Sequence, residues 1–162
     1  MILKDYDILH CTGKKLLSTA IRKATHSQFS HSAIYRIIEG VPCVFDAQID
    51  GTQIRTFDKW LKDYDYKFVA TRDITLTPGD FAVMKRRMYR NLDKGYDFES
   101  LLIRQPIKLI TGKWKQRKNE DTRLYCSELV ANIYGAEYSE RMSPQDLFMW
   151  CVNKRHILIE NE

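Results

Sequence analysis

The chain has 162 residues, of which 44% are apolar and 29% charged, with a formal net charge of +5. That length suits one domain with its own core over residues 1–162, and the composition excludes disordered and fibrous classes. The opening MILKDYDILHC has no basic stretch followed by a long apolar run, and no segment reaches the roughly 18 apolar residues of a membrane span, so a cytoplasmic protein is expected.

Taken in chain order, Tyr6–His10 reads as a short strand, and residues 14–25 place Leu16, Leu17, Ala20, Ile21 and Ala24 at helical spacing. Residues 29–38 read as a strand with Phe29, His31, Ala33, Tyr35 and Ile37 on one face. Glu39-Gly40 marks a turn, and Val41–Ala47 is the return strand of a hairpin. Asp50-Gly51 is a further turn signal. A short helix follows over Phe57–Tyr64, then a strand over Lys67–Arg72. Thr77-Pro78 supplies an N-cap and a first-turn proline for a helix to about Leu92, with Lys85, Arg86, Arg87 and Arg90 on its outer side. Phe98–Leu109 is apolar and helical, kinked at Pro106. Residues 113–122, basic around Trp114, read as a loop. Tyr125–Tyr134 is helical and closed by Gly135. Ser143-Pro144 starts another helix, and residues 156–160 form a last strand. Short strands mixed with helices imply an α+β fold with an antiparallel sheet packed against helices.

The four cysteines, at 11, 43, 126 and 151, are widely and irregularly spaced. With no C-x-x-C pair there is no zinc or redox motif, and free thiols are expected. Cys126 stands in the first turn of a helix, where unpaired N–H groups favour thiolate; it also shares a face with Leu129, Val130 and Ile133, as a structural thiol would. His31 is either a satisfied core histidine or a base lining a site. The hairpin centred on Glu39-Gly40 pairs residues whose numbers sum to 79, which puts Asp46 and Gln48 on the His31 side. Either could orient the imidazole.

These stretches, in order, carry a resemblance: Tyr6-Asp7-Ile8-Leu9, Leu17-Ser18-Thr19-Ala20-Ile21-Arg22, Ser30-His31-Ser32-Ala33-Ile34-Tyr35, Phe45-Asp46-Ala47, Gly95-Tyr96-Asp97-Phe98, Tyr125-Cys126-Ser127-Glu128-Leu129-Val130 and Ser143-Pro144-Gln145-Asp146-Leu147. The chain resembles the circularly permuted branch of NlpC-like papain-fold cysteine peptidases and amidases, the YiiX-like proteins. The resemblance implies a permuted papain-like fold in which Cys126 is the nucleophile, His31 the base and Asp46 the third polar residue. It places Tyr96 beside the site as a candidate for the oxyanion, and Gln48, on the His31 side by the hairpin register, is a further candidate for the oxyanion or the substrate. The implied reaction is amide hydrolysis through a thioester, on a peptide-like or acyl-amide substrate and with no metal or other cofactor. Two alternatives stay open: a lipid-directed acyltransferase or hydrolase of the same fold, and a non-catalytic binding module. The basic clusters suit an anionic surface; nucleic acid is a poor fit, since no recognised motif accompanies them.

Overall fold

The computed structural model describes residues 2–14, 16–114, 122–154 and 156–159. Its centre is a six-stranded antiparallel sheet in the order β4-β3-β2-β1-β5-β8. The strands are β1 (Ile8–Gly13), β2 (His31–Ile38), β3 (Val41–Gln48), β4 (Gly51–Thr56), β5 (Tyr64–Arg72) and β8 (Ile157–Ile159). The helices are α1 (Leu16–Thr25), α2 (Phe57–Asp63), α3 (Pro78–Arg90), α4 (Gln105–Thr111), α5 (Cys126–Tyr134) and α6 (Pro144–Asn153). Two short strands, β6 (Gly95–Tyr96) and β7 (Arg123–Leu124), form a separate parallel pair.

Alternation along the strands builds two cores. Ile8, Ile34, Phe45 and Ala47 pack with Met84 and Met88 of α3, Leu129, Val130 and Ile133 of α5, and Leu147 and Cys151 of α6. The intervening residues Leu9, Cys11, Ala33, Tyr35 and Val44 pack with Trp60 of α2 and with Tyr64, Phe68 and Ala70 of β5. The β2–β3 hairpin keeps the expected register, Ile34 opposite Phe45 and Tyr35 opposite Val44. Its turn residues Glu39 and Gly40 both have positive φ, 50° and 79°, the geometry whose twist matches a two-residue hairpin.

The helix caps follow the expected residues. Thr77 and Ser143 each accept a hydrogen bond from the N3 amide, before Pro78 and Pro144, and Gly135 closes α5 in the left-handed region. Among the described residues no disulfide forms, and all four cysteines are buried.

Several boundaries differ from the sequence expectations. Tyr6 has φ 69° and precedes the first strand, which runs to Gly13. The fifth strand begins at Tyr64, which ends α2. Pro106 lies in the first turn of α4, directly after a wide π-helical turn at Ser100–Arg104, in place of a kink within one helix. On α3 Lys85, Arg86 and Arg90 are exposed opposite the buried Met84 and Met88. Residues 115–121, most of the basic stretch beyond Trp114, and Glu160 of the expected last strand lie outside the described residues.

Candidate active site

Two chain elements begin at the same place. His31 is the first residue of β2 and Cys126 the first of α5, and Cys126 Sγ lies 4.0 Å from the carbonyl of Ser30. The approach to β2 is fixed by Ser30, whose hydroxyl accepts from Ser18 Oγ at 2.5 Å and from the Gly13 amide at 2.9 Å. The approach to α5 is fixed by Tyr125. Its hydroxyl accepts from Gln105 Nε2 at 2.9 Å and donates to the Glu140 carbonyl at 2.8 Å. The parallel pair of β6 on β7 sets Tyr96 beside Leu124, two residues before Cys126.

The imidazole of His31 faces the carboxylate of Asp46 on the neighbouring strand, Nε2 to Oδ2 at 3.0 Å. With Nε2 turned to Asp46, Nδ1 is the ring nitrogen left for Cys126, with which His31 also hydrogen-bonds. Tyr64 stacks on the His31 ring, centroids 4.6 Å apart and planes 18° from parallel, and Trp60 stacks on Tyr64 at 4.7 Å. This fixes the ring plane. Asp46 is fully buried. Its Oδ2 also accepts from Gln48 Nε2 at 2.5 Å, Arg55 Nη2 at 3.0 Å and Trp60 Nε1 at 3.1 Å.

The electrostatics follow from this packing. Burial alone pushes the Cys126 thiol up, but the His31 charge and hydrogen bond, with backbone N–H groups of Ser32 and Ser127, bring it below its ordinary value. Burial pulls His31 down, but the Cys126 charge and the Asp46 hydrogen bond outweigh it and raise the imidazole to about 9. Burial pushes Asp46 up, but His31 and then Arg55 hold it below the usual carboxylate value. Both shifts run in the direction of a Cys126 thiolate beside a His31 imidazolium. Burial and then the Cys126 charge raise Tyr96 well above its ordinary value, so its hydroxyl stays protonated and able to donate.

The site borders a cleft of about 120 Å³ lined by Leu17, Ile21, Ile49 and Phe98 together with His31, Gln48, Tyr64 and Tyr96. Cys126 is fully buried and does not itself line the cleft, while His31, which does, is 5% exposed.

The structure thus brings together all five residues read from the sequence. It also separates the roles of Asp46 and Gln48. Asp46 makes the shorter contact with His31, at 3.0 Å, while Gln48 Nε2 lies 3.5 Å from His31 Nε2 and donates to Asp46 and, at 2.7 Å, to the Tyr64 hydroxyl. Only the Gln48 carbonyl remains for a ligand. Arg55, Trp60 and Tyr64 were missed. Trp60 and Tyr64 stood four apart in the expected helix, and Arg55 had a quieter signal. A turn at Ile49-Asp50 closes a second hairpin in which Gln48 pairs with Gly51, Asp46 with Gln53 and Val44 with Arg55, placing Arg55 on the Asp46 face.

Among the described residues no helix is long and apolar enough to cross a membrane. Residues 3–153 match the family described as permuted papain-like amidase enzyme, YaeF/YiiX, C92 family. Among solved structures the chain is similar to the metalloprotein YiiX from Escherichia coli O157:H7, with a TM-score of 0.62 and 27% identity. That match covers 81% of this chain and 64% of YiiX, so the chain spans less than two thirds of that protein. No curated protein matches the chain.

Proposed function

Because the chain belongs to the permuted papain-like amidase enzymes of the YaeF/YiiX, C92 family, with their permuted papain-like fold, we propose that it hydrolyses an amide through a Cys126 thioester. The observation that carries this reading is the contact of Cys126, His31 and Asp46, drawn from α5, β2 and β3, in a thiolate-favouring site beside a cleft.

In the proposed reaction the Cys126 thiolate attacks the substrate carbonyl carbon. The developing oxyanion is held by the Cys126 backbone N–H and the Tyr96 hydroxyl. The His31 imidazolium gives its Nδ1 proton to the leaving amine, the C–N bond breaks, and a thioester remains. Neutral His31 then takes a proton from water as it attacks the thioester. The acid is released and the ion pair restored. Asp46 holds the imidazole in orientation throughout. YiiX is described as a metalloprotein. Here no three His, Cys, Asp or Glu side chains gather as ligands among the described residues, and His31 Nε2 is turned to Asp46. These residues do not fit a resident metal, and no step is routed through one.

The apolar cleft walls favour one second reading, an ester or amide of a long acyl chain in place of a peptide. A parallel assay of peptide amides, N-acyl amino acids and phospholipids separates the two. Cys126→Ala is expected to lower turnover of the true substrate by at least about a thousandfold while leaving the circular dichroism unchanged. Undiminished turnover in that variant overturns the mechanism. Absence of turnover with every class, together with tight binding of one of them, supports a binding module instead.

A further inference from the structure

We infer that Arg55 is a positioning residue of this site, clamping the buried Asp46 carboxylate in its orientation towards His31 and tying it to Asp63 in the cleft wall. The inference rests on the reading of Cys126, His31 and Asp46 given above.

The geometry is a two-pronged bridge. Arg55 Nη2 reaches Asp46 Oδ2 at 3.0 Å, and Nη1 reaches Asp63 Oδ2 at 2.7 Å. The Arg55 side chain is 15% exposed, between an Asp46 side chain at 0% and an Asp63 side chain at 39%. Asp63 lines the cleft, so one guanidinium joins the innermost acid of the site to its rim. A guanidinium fork makes two such bonds at once.

The chemistry gives the bridge a task. A buried carboxylate stays ionised only beside a cation. His31 is such a cation in the resting pair, but it becomes neutral when it protonates the leaving amine. At that step Asp46 would be left buried beside an uncharged ring, with its Oδ1 already buried without a hydrogen-bond partner. Arg55 does not give up its proton. It keeps Asp46 ionised until His31 must accept a proton from water, the step that a neutral Asp46 would impair. The groups facing Asp46 from the surrounding elements are His31 of β2, Arg55 of β4, Trp60 of α2 and Tyr64 of β5, with Cys126 and Tyr96 beyond His31. Arg55 is the one permanent cation among these.

The test needs no substrate. Thiolate absorbance of the full chain, less that of Cys126→Ser, is titrated with pH for the parent protein, Arg55→Met and Arg55→Lys. In the parent the Cys126 thiolate persists below the range of an ordinary thiol. In Arg55→Met protonation of Asp46 moves up, and the acid midpoint of the thiolate rises with it, by about one pH unit. Arg55→Lys keeps the charge and hence the midpoint. An unchanged midpoint in folded Arg55→Met overturns the inference, and so does an equal rise in Arg55→Lys. If Arg55→Met does not fold, Arg55→Gln carries the same test, since it keeps a donor without the charge. A parent protein with no acid-persistent thiolate would instead overturn the catalytic reading of Cys126 and His31. Once a substrate is in hand, Arg55→Met is expected to accumulate the acyl-enzyme in a burst, whereas Arg55→Lys restores steady turnover.

Discussion

His31 meets two opposed demands at one ring. Its Nε2 is held by Asp46, which favours the charged form, while the ring as a whole is almost completely enclosed, which disfavours it. In the proposed reaction that outcome, a value near 9 beside a thiol shifted downwards, would set the pH range of activity. The proposed ion pair would exist above the lowered thiol value and below the raised imidazole value. The profile of kcat/KM is therefore expected to be bell-shaped, rising as Cys126 loses its proton and falling as His31 loses its own at about 9. A descending limb near 6.5 would mean that the pair is not formed. Tyr96 gives a second prediction at this scale. Tyr96→Phe removes one donor to the oxyanion and is expected to lower kcat about 10²-fold with little change in KM. An unchanged kcat would leave the backbone N–H of Cys126 as the sole donor of the two named here.

At the scale of elements, the placement of Tyr96 depends on a join between distant parts of the chain. The Thr52 amide donates to the Lys94 carbonyl at 2.8 Å, and the Lys94 amide donates back to Thr52 Oγ1 at 3.0 Å. The hydroxyl of Thr52 also donates to the Asn91 carbonyl. Gly51, beside it, has φ +117°, and a Cβ there would come within 2.9 Å of the Lys94 carbonyl oxygen. Gly51→Ala is therefore expected to cost about 2 kcal/mol or more, from backbone strain and from the clash. The loss should be seen both as a lower Tm and as reduced kcat, because Gly95-Tyr96 follows Lys94 directly. A variant as stable and active as the parent would show that the join does not position Tyr96. The β6–β7 pair and β4 were not readable in the sequence. β6 and β7 have two residues each, too few for any alternation to register, and β4 carries Thr52, Gln53 and Arg55 amid little apolar pattern. The central hairpin was readable, register included. Its turn chemistry and the apolar pattern of β2 agree, and a slip of one residue would exchange the residues that Ile34 and Phe45 bring to one core with those that Ala33, Tyr35 and Val44 bring to the other.

Across the whole molecule, the site residues could be named from short motifs in their order along the chain, while the residues that hold them in place could not. Arg55, Trp60 and Tyr64 act through contacts between strands and a helix, and the helical spacing of Trp60 and Tyr64 or the turn ahead of Arg55 points to no role at the site until the register of β3 and β4 is known. The same holds for the setting of His10, another buried histidine. The structure places it away from the His31–Asp46 contact, between the rings of Phe29 and Phe148 at 5.5 and 5.2 Å, with Nε2 3.1 Å from Thr71 Oγ1 and Nδ1 without a partner. Burial, and then the neighbouring His156, push its imidazole down from 6.5 to about 3. A histidine lowered in the fold is neutral there and protonated in the unfolded chain below 6.5. Its contribution to stability is thus fully present above 6.5 and is lost as pH falls towards 3. Each unit of pH in that window corresponds to about 1.4 kcal/mol, so the step from pH 7 to pH 5 removes about 2 kcal/mol of a total that is commonly 5–15 kcal/mol. His156 is lowered too, chiefly by burial, so its effect has the same sign. Urea unfolding at pH 7 and pH 5 is expected to show this loss in the parent protein and about 2 kcal/mol less of it in His10→Gln, where His156 still titrates. Equal losses in the two proteins would mean that His10 is charged in the fold, and would leave His156 as the buried histidine that carries the acid sensitivity.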